Sequence, residues 1–289
     1  MAYRFKPSDA SMTEAVRRIA ASEFDLVRQR LTEKSLPTER KVHEARKATK
    51  RLRSLLRLVG PACPQSREEI AALREAAARL SALRDKGALS ETLSRLAPPE
   101  ATASALENAF AARRAPGAAA QKKLLAGFAA EMEMASGRAA GWTLSREGWA
   151  GLEPGLERSY RRFRKSMDAA RQAVDEDPVH AFRKRAKDHW YHTLLLRGAF
   201  PPVMDGYAAA AESLCDDLGD WRDLGLLEAA VADVPVHLVA RRDAADILSL
   251  IARSRKRALK RAFRTARRLT AETPDAYTGR LKGWWKSAH

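Results

Sequence analysis

Only two cysteines, Cys63 and Cys215, occur in 289 residues. That excludes a disulfide framework and makes a reducing, cytoplasmic compartment the default expectation. No run of about 18 uncharged apolar residues occurs, so no membrane span is expected. The opening MAYRFKPSDASMTEAVRR has no apolar core of the signal-peptide kind. Alternating runs of β-branched residues are missing, which leaves little or no room for sheet. Chemistry-bearing motifs are scarce as well. There is no glycine-rich phosphate loop, no Ser–His–Asp arrangement and no paired-carboxylate motif. No catalytic residue, cofactor or metal is therefore expected, and the chain is read as a non-enzyme. His189 and His192 sit three apart, as two metal ligands can. His189, however, falls on an apolar arc with Phe182 and Ala186, which points to a packed core histidine.

What is present is helix-forming and basic. Ala, Leu, Arg, Glu and Lys dominate. Hydrophobic residues reach 45%, enough for a core, and the expected fold class is all-α. Lys and Arg number 53 against 36 Asp and Glu, for a net charge of +17. An excess of that size implies a polyanionic partner or surface. The reading along the chain gives an N-terminal arm (1–10), a first helical repeat (11–140), a second (149–272) and a polar tail (273–289), the tail expected to be irregular. The boundary between repeats is GWTLSREG, residues 141–148, with two glycines and little periodicity. In the second half, helices are expected over 151–174, 179–196, 208–218 and 241–271. Asp175 to Pro178 is read as a turn, and Pro201-Pro202 as a helix end.

One stretch organises the rest: VHEARKATKRLRSLLRL, from Val42 to Leu58. Wound as a helix, it puts His43, Arg46, Lys47, Lys50, Arg53 and Arg57 on one arc. Val42, Ala45, Thr49, Leu52, Leu55, Leu56 and Val59 fill the opposite side, as a core-facing helix requires. The pattern then recurs. His43-x-x-Arg46-Lys47-x-x-Lys50 matches His180-x-x-Arg183-Lys184-x-x-Lys187 at an offset of 137. Leu83-Arg84-Asp85-x-Gly87 matches Trp221-Arg222-Asp223-x-Gly225 at 138. Two motifs at nearly one offset point to an internal repeat. The copy is uneven: Arg51, Arg53 and Ser54 become Asp188, Trp190 and Tyr191. The Arg-Asp segments are read mainly as local ion pairs or caps that fix a loop.

His-x-x-Arg-Lys-x-x-Lys on a helix, twice, each followed by an Arg-Asp segment, resembles the CHAD family, the conserved histidine α-helical domains. The resemblance spans roughly residues 10–272. It implies two four-helix bundles related by a pseudo-twofold, with a basic cleft or pore between them that binds inorganic polyphosphate. Family members stand alone or are fused to a triphosphate-tunnel domain, and some associate with polyphosphate granules. A tunnel domain needs strands and Glu-x-Glu-x-Lys. Here Glu131-Met132-Glu133 leads into Met134-Ala135 inside a helical segment, so no tunnel domain is expected in this sequence.

The expected polyphosphate-binding residues are His43, Arg46, Lys47, Lys50, Arg53, Arg57, His180, Arg183, Lys184, Lys187 and Tyr191. Arginines fork onto phosphate oxygens, and lysines act as mobile point charges. Arg28, Arg51, Lys122, Lys165, Lys256 and Arg257 come second: such clusters either widen the cleft or coat the outside. RNA or single-stranded DNA on the same surface is the alternative, since net charge fits both. Base stacking would want aromatics among the cations, and only Trp190 and Tyr191 offer them. A histidine-based phosphotransfer reaction ranks third. It needs a base or acidic metal site beside His43 or His180, and Glu44 and Asp188 are expected to point off the face.

Overall fold

Strong helix formers broken by proline and capping residues give a chain of helices. The computed structural model describes residues 3–80, 83, 85–111, 117–173 and 175–288. Among them no strand occurs and there are eleven α-helices. In order these are α1 (Met12–Thr32), α2 (Thr38–Val59), α3 (Ser66–Arg79), α4 (Asp85–Leu96), α5 (Glu100–Ala111) and α6 (Ala118–Ala139). Then come α7 (Gly148–Gln172), α8 (Glu176–Leu195), α9 (Pro201–Ala232), α10 (Arg241–Leu269) and α11 (Pro274–Ala288).

The starts follow from the residues that cap them. Ser11 Oγ accepts a bond from Glu14 N at 3.1 Å, and Glu147 Oε2 accepts from Met12 N at 2.6 Å. Together they satisfy amides that the first turn of α1 leaves open. Asp175 caps α8 by accepting from Glu176 N at 2.7 Å. The expected turn at 175–178 is thus the cap and first turn of that helix.

Helices α1, α2, α3 and α6 pack in a closed ring, and so do α7, α8, α9 and α10. The all-α expectation with two four-helix bundles therefore holds. Helix α2 ties the rings together, because it packs on α1 and α3 within its own ring and on α7 and α8 of the other. Its Leu52, Leu55, Leu56 and Leu58 are fully buried, each contributing roughly 1.5–3 kcal/mol of apolar burial. At the α2–α7 crossing the backbones nearly touch: a Cβ on Gly155 would lie 1.7 Å from the Leu58 carbonyl oxygen. Only glycine fits there.

Two expectations change, and one arrangement is new. Helix α9 is a single 32-residue element rather than one ending at Leu218. Pro201 and Pro202 open it, which suits residues whose missing amide would be unbonded in a first turn. It runs through Gly206, Gly219 and Gly225 because α8 and α10 pack along it. The tail, expected to be irregular, is α11. Thr273 Oγ1 accepts from Ala276 N at 3.3 Å, and Tyr277, Leu281 and Trp285 form a buried stripe four residues apart. Lastly, α4 and α5 leave their own half. Leu89, Leu93, Leu106 and Phe110 pack with Leu224, Leu227, Ile247 and Ile251 of α9 and α10 in a separate small core.

Candidate functional site

Helix α2 presents its two sides as its sequence demands. Val42, Ala45, Thr49, Leu52, Leu55, Leu56 and Val59 are buried, while Arg46, Lys47, Lys50, Arg53 and Arg57 are half-buried on the other side. The His43 side chain is 64% exposed. Its pKa is lowered by partial burial and then by Lys50, Lys47 and Arg40, against the opposing Glu44. Glu44 comes to 4.0 Å from His43 Nε2, so it does not point off the face as expected. On α8, His180 is lowered in the same way, by burial and then by Lys184 and Arg183. The leading neighbours of each histidine lie on its own helix.

Cations also crowd around Arg53. Its pKa is lowered by burial first, then by Arg57, with Arg74 and Arg46 adding to the shift and Asp188 opposing it. Its Nε is buried with no hydrogen-bond partner. Arg46 Nη1 donates to the Ala77 carbonyl on α3 at 3.2 Å, which brings α3 into the site. Arg74, also on α3, carries no periodic signal in the sequence and was not foreseen.

The two basic helices cross at Ser54, Asp188 and His192. Ser54 Oγ donates to the Asp188 carbonyl at 3.4 Å, and His192 Nε2 lies 2.9 Å from the Ser54 carbonyl oxygen. Asp188, whose side chain is 8% exposed, takes Arg57 at 2.8 Å and Arg185 at 3.4 Å. Arg57 is therefore engaged by a carboxylate of the opposite helix. A buried pair of this kind locks the crossing more than it adds net stability.

A second meeting point surrounds Tyr191. Burial raises its phenol pKa, while Arg51 of α2 and Arg183 of α8 both pull it down. Tyr191 stacks on Trp190 at 4.9 Å and meets Tyr3 edge-on at 6.2 Å. Lys187 lies over the Trp190 ring at 4.5 Å. Arg51 is turned toward α1, at 3.3 Å from Glu23, and lies over Tyr3. Trp190 and Tyr191 are 8% and 3% exposed. They support the second basic face from beneath.

The remaining candidates scatter. Arg28 pairs with Asp25 and Glu133, away from α2's basic side. Lys122, Lys165, Lys256 and Arg257 are exposed on α6, α7 and α10. His189 stacks on Phe163 at 4.7 Å and burial pushes it down to about 3. Among the described residues no group of three or more His, Cys, Asp or Glu is placed to hold a metal.

The Trp221–Gly225 segment is structural. Arg222 and Asp223 pair at 3.6 Å, Arg255 lies over Trp221 at 4.5 Å, and Gly225 leaves room for the Arg255 guanidinium. In the corresponding Leu83–Gly87 segment, Arg84 lies outside the described residues.

A family model, the CHAD domain, matches residues 10–232. The chain belongs to the CHAD domain family. CHAD domains are associated with polyphosphate binding and are generally not catalytic. No curated protein matches the chain. The matched span takes in both basic helices of this CHAD domain and ends at the last residue of α9, so α10 and α11 lie beyond it.

Proposed function

We propose that this CHAD domain binds inorganic polyphosphate along the basic faces of α2 and α8, without catalysis. The observation that carries the reading is the crowding at Arg53. A desolvated guanidinium with an unbonded Nε, set among three other arginines, is unfavourable while the site is empty. A phosphate chain would supply the counter-charge that Asp188 alone gives these arginines. His43, Arg46, Lys47, Lys50 and Arg53 form the first face, and His180, Arg183, Lys184 and Lys187 the second. Successive turns advance about 5.4 Å, so each face offers cations at close spacing and little shape selectivity, as a flexible polyanion requires.

Nucleic acid is disfavoured by the placement of Trp190 and Tyr191. Both are buried in the core, where they are not available for base stacking. An internal repeat would fit the same reading; α1 and α2 start 136 and 138 residues before α7 and α8. Binding of this kind accords with a cytoplasmic protein at polyphosphate granules.

The test is a titration with long-chain polyphosphate. Lys47→Glu combined with Lys184→Glu is expected to weaken binding at least tenfold, and excess polyphosphate should displace bound RNA or single-stranded DNA. Nucleic acid that stays bound under excess polyphosphate would refute the proposal.

A further inference from the structure

A second basic surface lies outside the α2–α8 faces. From Ile247 to Leu269, α10 carries nine Lys or Arg and no Asp or Glu. Apart from Arg268, which is exposed near the end of the helix, they divide by direction. Arg255 and Arg261 turn inward to acids of α9: Arg255 to Glu228, and Arg261 to Asp217 at 2.7 Å. Arg253, Lys256, Arg257, Lys260, Arg264 and Arg267 are exposed, and none is in a salt bridge among the described residues. By helical spacing they share one outer face about 21 Å long.

In the second ring α8 and α10 are diagonal, joined on one side by α7 and on the other by α9. The two connecting helices differ in charge. Helix α9 carries seven acids and one base, Arg222. Helix α7, from Arg158 to Arg171, carries six bases and one acid, Asp168. Its exposed Arg158, Arg162 and Lys165 have no carboxylate partner among the described residues. Arg158 lies beside Gly60 at the end of α2. At its other flank α7 meets the C-terminal end of α10, where Tyr160 Oη donates to the Leu269 carbonyl at 3.0 Å. Positive charge therefore runs from α2 over α7 to α10, while on the other side most acids of α9 are already paired with arginines.

We propose that the exposed faces of α7 and α10 continue the polyphosphate site, so that long chains pass over α7 and lie along α10 while short chains occupy α2 and α8 alone. This rests on the polyphosphate reading above. The extension is about 30 Å: some 10 Å across α7 and 21 Å along α10. The added contacts act on a chain already held, so they raise affinity through effective concentration. No exposed apolar or aromatic residue interrupts the α10 face between Arg253 and Arg268. That suits a bare phosphate chain.

The experiment compares polyphosphates of graded length on the wild type and on Lys256→Glu/Lys260→Glu/Arg264→Glu, with the matching glutamine triple as a milder variant. The wild type should bind long chains at least tenfold more tightly than short ones. The glutamate triple should keep short-chain affinity, lose that advantage and show a shallower salt dependence with long chains. The glutamine triple should fall between, and matched melting curves confirm folding of both. Unchanged long-chain binding in a triple that binds short chains normally overturns the track alone. Loss of duplex DNA binding with long-chain binding intact also overturns it, since the face would then serve nucleic acid. A wild type that binds no chain of any length overturns both proposals.

Discussion

At the scale of single residues the histidines carry a pH signature. Burial and neighbouring cations hold His43 and His180 below the ordinary histidine value in the empty protein. A bound polyanion favours the imidazolium and raises both. Protons are then taken up on binding, so affinity rises as pH falls through the window between empty and bound pKa values. From pH 8 to pH 6, binding should tighten about two- to tenfold. His43→Gln with His180→Gln should flatten the profile, and a wild-type affinity that stays level across this range contradicts the mechanism. Not every residue role was legible. The departure at Asp188 was visible as a lost arginine. Its grip on Arg57 and Arg185 needs α2 and α8 to cross there, which no local pattern encodes. Arg74 joins the site for the same tertiary reason.

Among the elements, the α2–α7 crossing is the most constrained. Gly155→Ala would drive a methyl against the Leu58 carbonyl, and the helices must part. A loss of about 2–4 kcal/mol is expected in chemical denaturation. Gly279→Ala, in α11 with nothing within 4 Å of its Cβ position, should instead stabilise by up to about 1 kcal/mol. Equal effects at the two sites would refute the crossing argument. Helices α2 and α8 were readable because a 3.6-residue stripe of apolar residues is a local property. The glycines of α9 lower its intrinsic propensity and hide its continuity in the sequence, and the packing that overrides them comes from other elements. Helix α11 did announce itself, through Thr273-Pro274-Asp275 and the Tyr277–Leu281–Trp285 spacing. Gly279 and Gly283 obscured that signal.

Across the whole molecule, α10 and α11 complete a structure that the family match leaves at Ala232. Helix α11 buries Tyr277 against Tyr160 at 4.0 Å and Trp285 against Phe5 at 5.9 Å, joining the two ends of the chain. A chain ending at Glu272 should melt about 5–10 °C lower than the full one. An unchanged melting temperature would show that α11 adds nothing to cooperativity. The placement of α4 and α5 also bears on synthesis. Their apolar faces, near Leu89 and Phe110, rest on Leu224, Leu227 and Ile251. Those partners leave the ribosome more than 110 residues later, on the order of ten seconds at ordinary elongation rates. For that interval the nascent hairpin has no surface to dock on, and the first half cannot finish folding until the second has been made.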